Sequence, residues 1–331
     1  MSLSHVNDAE PDVRDPTSAA AGAESGVVLK GTGGLWEVFT TDRQRVQASM
    51  RGRLKHEAHG SLKLAVGDVV SLARDSSQND AWVISDIQPR RSELARRVPG
   101  GGHGQRVVVA NPDQVLVVFA AAQPEPHPRM LDRFLVIAEA NDLAVRIVIN
   151  KTDLVEPGVA EALFAEQAGV GYPIHYVSAR TGRGVQELHG FVDGRSSVLA
   201  GPSGVGKSSL MNVLYPGLGL RTGAVSASVN KGRHTTVGAF LHPLPLPAGG
   251  FVADTPGLRE VGLWGIEESA LADCFPELRP MLGKCRFNDC THIVEPGCAV
   301  REALAEGRIP RGRYESYVKL RQDIPAARHP R

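Results

Sequence analysis

"GPSGVGKS", residues 201–208, follows the apolar run "SSVLA" and leads into the helical stretch "KSSLMNVL". It satisfies G-x-x-x-x-G-K-[ST] at Gly201, Gly206, Lys207 and Ser208. A strand, a glycine loop and a helix in that order form a phosphate cradle. The glycines let backbone N–H groups turn toward phosphate oxygens, and the helix N-terminus adds partial positive charge. Lys207 is placed to neutralise β/γ oxygens, which makes it a catalytic candidate, and Ser208 to hold Mg²⁺. The expected nucleotide-contacting set here is Gly201, Ser203, Gly204, Val205, Gly206, Lys207, Ser208 and Ser209.

Working outward, "NKTD" (residues 150–153) ends the apolar run "VRIVIN", with 47 residues between it and the cradle. The Asp153 carboxylate can accept from the N1–H and N2–H₂ of guanine; adenine lacks that donor pair. Lys151 would pack over the base, and Asn150 would tie this clamp to the phosphate loop. "VSAR", residues 177–180, supplies a companion loop in which Ser178 and Ala179 face the guanine O6. Downstream, "FVADTPG" (residues 251–257) offers Asp254 to Mg²⁺ through water and the Gly257 N–H to the γ-phosphate. Between cradle and D-x-x-G lies the polar "NKGRHTTVG", residues 230–238, with the texture of a switch loop. Thr235 or Thr236 could give Mg²⁺ a hydroxyl there, and the sequence does not choose between them.

An ordinary GTPase begins with the cradle and ends with the clamp. Here clamp, companion, cradle, switch and D-x-x-G each occur once, in the cyclic order expected of one circular permutation. Hydrogen bonding in a parallel sheet does not depend on which strand is made first, so the site survives.

The 331 residues allow two or three domains. Residues 1–25 are rich in Ala, Asp, Glu, Ser and Pro and read as a flexible tail. Residues 26–90 hold five short strand-like runs, which predict a small closed barrel of OB type. Residues 91–106, basic and carrying three consecutive glycines, read as a linker. Residues 107–262 alternate apolar strands with helical stretches such as "GVAEALFAEQAG", predicting an α/β domain with a mostly parallel sheet and helices on both faces. Residues 263–331 read as a helical, zinc-binding domain.

Charged residues make up 22% and apolar residues 42%, and no apolar run reaches membrane-spanning length. With a polar start, this predicts a cytoplasmic protein without membrane attachment. The net charge of +1 gives no global argument for nucleic-acid binding. Cys285, Cys290, His292 and Cys298 form C-x₄-C-x-H-x₅-C, a donor set that suits one structural, tetrahedral Zn²⁺. Cys274, 11 residues upstream of Cys285, is expected in a helix and buried.

Together these motifs resemble the circularly permuted bacterial GTPases of the RsgA (YjeQ) family, over residues 26–331, with "GRHTT" and "DTPGLRE" close to that family's switch sequences. The resemblance implies a GTP hydrolase that assists late maturation of the small ribosomal subunit, cycling between GTP and GDP with Mg²⁺ and one zinc. Leu258 stands where Ras-like enzymes carry a water-positioning Gln. His234 in "GRHTT" is therefore the catalytic candidate, with the same role implied by the family and the ribosome ordering its loop. Two basic sets could track rRNA phosphates or simply be solvated faces. One is Arg43, Arg45, Arg51, Arg53, Lys55, Arg90 and Arg91. The other is Arg308, Arg311, Arg313, Lys319 and Arg321, with Tyr314 and Tyr317 to stack or pack. A monomer is expected. The competing readings are a GTPase serving the large subunit and a nucleotide-gated rRNA-binding protein whose hydrolysis is incidental.

Overall fold

The computed structural model describes residues 24–51, 63–76, 80–97, 105–220, 239–254 and 266–324. Expectations for residues 1–23, for Arg53 and Lys55, and for His234, Thr235, Thr236, Gly257 and Leu258 lie outside the described residues, whereas Glu24 and Ser25, read as the end of a flexible tail, are paired strand because they ladder with Leu72 and Ser71.

Strands β1 (Glu24–Thr32), β2 (Leu35–Thr40), β3 (Arg45–Met50), β4 (Val69–Asp75) and β5 (Ala81–Ile87) close a barrel in the order β1-β2-β3-β5-β4. Strand β1 pairs antiparallel with both β2 and β4, and β3 pairs parallel with β5. This is the five-stranded Greek-key closure of an OB fold. Period-two alternation turns Val28, Val38, Val70, Leu72 and Ile84 inward, and bulges after Val28 and Ser71 help the strands coil.

The stretch read as a linker differs from expectation. Its flanks pair as an antiparallel ribbon, β6 (Glu93–Arg97) with β7 (Gln105–Ala110). Leu94 and Val109 are buried in the main core, so the ribbon is packed structure; the three glycines fall between its strands.

The α/β domain is built on β8 (Gln114–Ala120), β9 (Ala144–Asn150), β10 (Ile174–Tyr176), β11 (Ser196–Ala200), β12 (Phe240–Pro243) and β13 (Phe251–Asp254). Their order in the sheet is β10-β9-β8-β11-β13-β12, parallel except for the edge strand β12. Strand β8 is buried along its whole length, as expected of a strand covered on both faces. Helix α1 (Pro128–Glu139) packs Leu131, Phe134 and Leu135 on one face of the sheet. On the other lie α4 (Val185–Val192) and α5 (Lys207–Leu214), through Leu188, Val192, Leu210 and Met211. The stretch "GVAEALFAEQAG" forms two short helices, α2 (Val159–Leu163) and α3 (Ala165–Gly169), rather than one. Phe164 between them leaves helical geometry (φ −109°, ψ 19°), and its ring is fully buried in the core.

The C-terminal part has three 3₁₀ turns at Glu268–Ala270, Ala272–Cys274 and Arg279–Met281, then α6 (Ala299–Ala305) and α7 (Arg311–Asp323). Leu271, Phe275, Leu278, Val300, Tyr317 and Leu320 make its core, which also takes in Val136 of α1.

Candidate functional site

Because β9, β10, β11 and β13 run parallel, their carboxyl ends share one edge of the sheet. That edge receives Asn150 from β9, Ser178 after β10, Gly201 after β11 and Asp254 from β13. Ligands of open α/β sheets bind at this edge. Strand β11 is central, with β13 and β12 on one side and β8, β9 and β10 on the other. Cutting before β11 and joining β13 to β8 would give the ordinary GTPase order.

The cradle has the backbone that its glycines predict. Gly201 has φ +129°, and a Cβ there would meet the Val118 carbonyl at 2.1 Å. Gly206 has φ +92°, and a Cβ would meet Asn150 Nδ2 at 2.4 Å. Helix α5 starts at Lys207, directing its first N–H groups at the loop. Lys207 Nζ donates to the Gly201 and Pro202 carbonyls at 2.8 and 2.7 Å, holding the ammonium against the loop. Ser203 and Gly204 are exposed at the loop tip, and Val205 is buried beneath it.

Asn150, almost fully buried, joins three segments. Its Nδ2 donates to the Val205 carbonyl at 2.9 Å, and its Oδ1 accepts from the Ala179 N–H at 3.0 Å. The expected link between clamp and cradle is thus a direct bond. Lys151, in left-handed geometry (φ 61°), donates from Nζ to the Gly204 carbonyl at 2.7 Å and to that of Gln123. Asp153 Oδ1 accepts from the Ser178 hydroxyl at 2.5 Å, while Oδ2 meets Arg180 Nε at 2.8 Å. The Ser178 hydrogen bond first, with the Arg180 charge adding to it, holds the Asp153 carboxyl below its ordinary value. Asp254 sits at the end of β13 beside Leu199 of the cradle strand, so a carboxylate and the Ser208 hydroxyl both lie at the cradle edge. Hydroxyl and carboxylate oxygens are the donors Mg²⁺ favours.

The second centre is the cysteine loop. One ligand atom each from Cys285, Cys290, His292 and Cys298 lies within 4.8 Å of the others. Cys285 Sγ and Cys298 Sγ are 3.9 Å apart, and each is 3.5 Å from His292 Nδ1. Four ligands around zinc with Zn–S near 2.3 Å put sulfurs about 3.8 Å apart, so the set fits the ion. The loop is built to hold that shape. Arg286 N–H donates to the Gly297 carbonyl at 2.9 Å, closing its ends. The Glu295 carboxylate accepts from the backbone N–H groups of Thr291, Ile293 and Val294 and from the Thr291 hydroxyl. Those bonds, the Thr291 hydroxyl foremost, hold its carboxyl far below the ordinary range. Cys274 is buried away from the cluster, and burial pushes its thiol up to about 12.

Several predicted surface residues sit elsewhere. Arg313 is fully buried between Asp132 and Glu277, and Tyr317 is buried beside Phe275; neither faces solvent. Tyr314 and Tyr317 donate their hydroxyls to the His292 and Thr291 carbonyls at 2.7 and 2.8 Å, so both pack behind the metal loop. Arg90 pairs at 2.7 Å with the buried Asp68. Arg321 bonds Glu268. Arg43, Arg45, Arg51 and Arg91 remain exposed on the barrel side, and Arg308, Arg311 and Lys319 on the C-terminal side. Sequence reasoning missed Glu295, for which no pattern signals a loop-closing role. It also missed Arg180, whose signal was a cation two residues after Ser178 in the quoted companion loop.

A family model described as RsgA GTPase matches residues 87–264. The small ribosomal subunit biogenesis GTPase RsgA of Gemmatimonas aurantiaca is 68% identical over 91% of this chain and 97% of its own. The crystal structure of YjeQ from Thermotoga maritima superposes with a TM-score of 0.76 at 34% identity, covering 92% of this chain and all of that one. A second solved structure, YloQ, described as a circularly permuted GTPase, gives 0.70 at 29% identity over 94% of this chain and 98% of its own. The permuted strand order agrees with the likeness to a circularly permuted GTPase, and the chain belongs to the RsgA GTPase family.

Proposed function

We propose that this GTPase assists maturation of the small ribosomal subunit, binding the immature particle in its GTP form and leaving after hydrolysis. The carry-over to the small subunit is supported by the name of the Gemmatimonas relative and the extent of its identity. The observation that carries the nucleotide reading is the Asn150 junction, which couples clamp, companion loop and cradle through two bonds from one side chain.

In this reading Asp153 reads guanine, with Lys151 over the base and Ser178–Ala179 at its O6. The loop from Gly201 to Ser209 takes the phosphates, with Lys207 on the β/γ oxygens. Ser208, Asp254 and Thr235 or Thr236 would hold Mg²⁺, which would supply neutralisation of phosphate charge. Gly257 would donate its N–H to the γ-phosphate, and His234 would orient the attacking water. Cys285, Cys290, His292 and Cys298 would hold a zinc that shapes the C-terminal domain. We assign the units as a barrel that ends near residue 90, a GTPase unit to residue 262 that takes in the ribbon of β6 and β7, and 263–331. The exposed Arg43, Arg45, Arg51 and Arg91 would meet rRNA phosphates. No helix among the described residues is long and apolar enough to cross a membrane. A monomer working in the cytoplasm suits a ribosomal partner.

The test is turnover of GTP and ATP with and without purified ribosomal subunits. GTP hydrolysis stimulated by small subunits alone is the expected result. ATP turned over equally well would overturn the clamp assignment, and equal stimulation by large subunits would overturn the partner.

A further inference from the structure

The carboxylate assigned to guanine already has two partners. Ser178 fixes Oδ1, and Arg180 reaches Oδ2 at 2.8 Å. The Asp153 side chain is 11% exposed and that of Arg180 72%, so the arginine lies on the surface and covers the oxygen that Ser178 leaves open. A guanidinium is planar, delocalised and edged with adjacent N–H donors that match a carboxylate. The N1–H, N2–H₂ edge of guanine offers the same pattern. A base that uses both carboxylate oxygens needs Oδ2, the oxygen on which Arg180 Nε sits, so the two donors compete there.

We propose that Arg180 is a built-in competitor for guanine at Asp153, covering the carboxylate in the empty site and displaced as the base enters. This rests on the reading of Asp153 as the guanine clamp. It follows that Arg180 sets how tightly the bases that use Asp153 bind, but not how well those bases are told apart from one another. Every base that uses Asp153 displaces the same pair, so the cost is common to all affinities and cancels in their ratios. Arg180 is mostly solvated already, so displacing it exposes little new surface. An exposed pair of this type is weak, and its removal should tighten binding about two- to five-fold. It is also screened: the Debye length falls to about 3 Å at 1 M salt.

The test measures GDP, IDP and ADP affinities of the full chain at about 0.1 M and about 1 M salt. IDP keeps the N1–H of guanine and lacks its amino group. The proteins compared are wild type, Arg180→Ala, Arg180→Lys, Asp153→Asn and the Arg180→Ala/Asp153→Asn double variant. Arg180→Ala is expected to bind GDP and IDP more tightly by one common factor at low salt, with the gain gone at high salt. Arg180→Lys should fall between, because an ammonium keeps the charge and loses the planar N–H edge. In the Asp153→Asn background, Arg180→Ala should change nothing. Weaker or unchanged GDP binding by Arg180→Ala would overturn the proposal while leaving the clamp intact. So would an altered GDP-to-IDP ratio, or a gain that survives high salt or the loss of Asp153. If Asp153→Asn keeps its preference for GDP over ADP, the clamp reading fails, and the proposal with it.

Discussion

Asn150 divides one buried amide between two loops, donating to the Val205 carbonyl and accepting from the Ala179 N–H. Asn150→Ala would leave the buried Val205 carbonyl and the half-buried Ala179 N–H unpaired. That should cost about 1–3 kcal/mol of stability and weaken GTP binding further, because cradle and companion loop lose their common tether. Thermal denaturation and nucleotide titration of the variant check both parts. Asp153 makes a second prediction, through its ionisation. Its carboxyl lies below the ordinary 3.8, chiefly through the Ser178 hydrogen bond. A depressed carboxylate stabilises fully above its unfolded pKa, and that contribution is lost as pH falls through the folded value. The ratio of GDP affinities between wild type and Asp153→Asn should therefore stay flat between about pH 5 and pH 8. A ratio that drops between pH 6 and 5 would mean that another group carries the recognition. The tether made by Asn150 was legible because an amide at a strand end can serve two neighbouring loops at once. Arg180 was not, since a surface arginine has many possible partners and only folding brings it onto Asp153.

At the scale of elements, sequence periodicity served best where it was unambiguous. Five alternating runs gave the barrel, and an apolar run feeding a glycine loop gave the cradle. It failed where tertiary packing overrides a local pattern. The ribbon of β6 and β7 is hidden behind basic residues and glycines, and its order comes from Leu94 and Val109 entering a core made elsewhere. Phe164 likewise breaks an apparently continuous helix because its ring has a buried place to go. The cysteine loop is the opposite case, since ligand types and spacing fix its chemistry before any packing is known. Its four donors should bind one zinc per chain, measurable by elemental analysis. Removing it with a chelator should loosen the loop that Tyr314 and Tyr317 hold against α7, and lower the denaturation midpoint. Thiol titration supplies a sharper reading. Cys285 and Cys290, both half-buried, should become more reactive on chelation, whereas the buried Cys274, outside the cluster, should react at a rate that chelation leaves unchanged.

For the whole molecule, the question is what makes three units act as one. The barrel leans on the edge of the nucleotide sheet, where Phe39 meets Phe251 edge-on at 6.0 Å and Arg43 Nη2 donates to the Pro247 carbonyl at 3.2 Å. The C-terminal unit is bound more firmly. Arg313 of α7 is fully buried, with Nη1 on Asp132 of α1 at 2.6 Å and a two-point grip on Glu277 at 2.6 and 3.2 Å. Phe275 lies under its guanidinium at 4.7 Å, and Gln167 donates to the same Asp132 oxygen at 2.9 Å. One cation thus ties the two units: Asp132 belongs to the GTPase unit, while Arg313 and the Glu277 that grips it belong to the zinc unit. Arg313→Met would strand both acids in a buried setting, and breaking such a pair from one side costs about 3–5 kcal/mol. Arg313→Lys should rescue little, because an ammonium cannot fork onto two acids at once. Adding Asp132→Asn and Glu277→Gln to Arg313→Met should recover much of the loss, since the uncompensated charges go with the cation. Urea denaturation of the four proteins decides the matter. If Arg313→Met melts within about 1 kcal/mol of wild type, the triad is not what joins the two units, and the shared apolar core around Val136 and Phe275, with the Arg279–Glu139 and Arg129–Glu315 pairs, holds them instead.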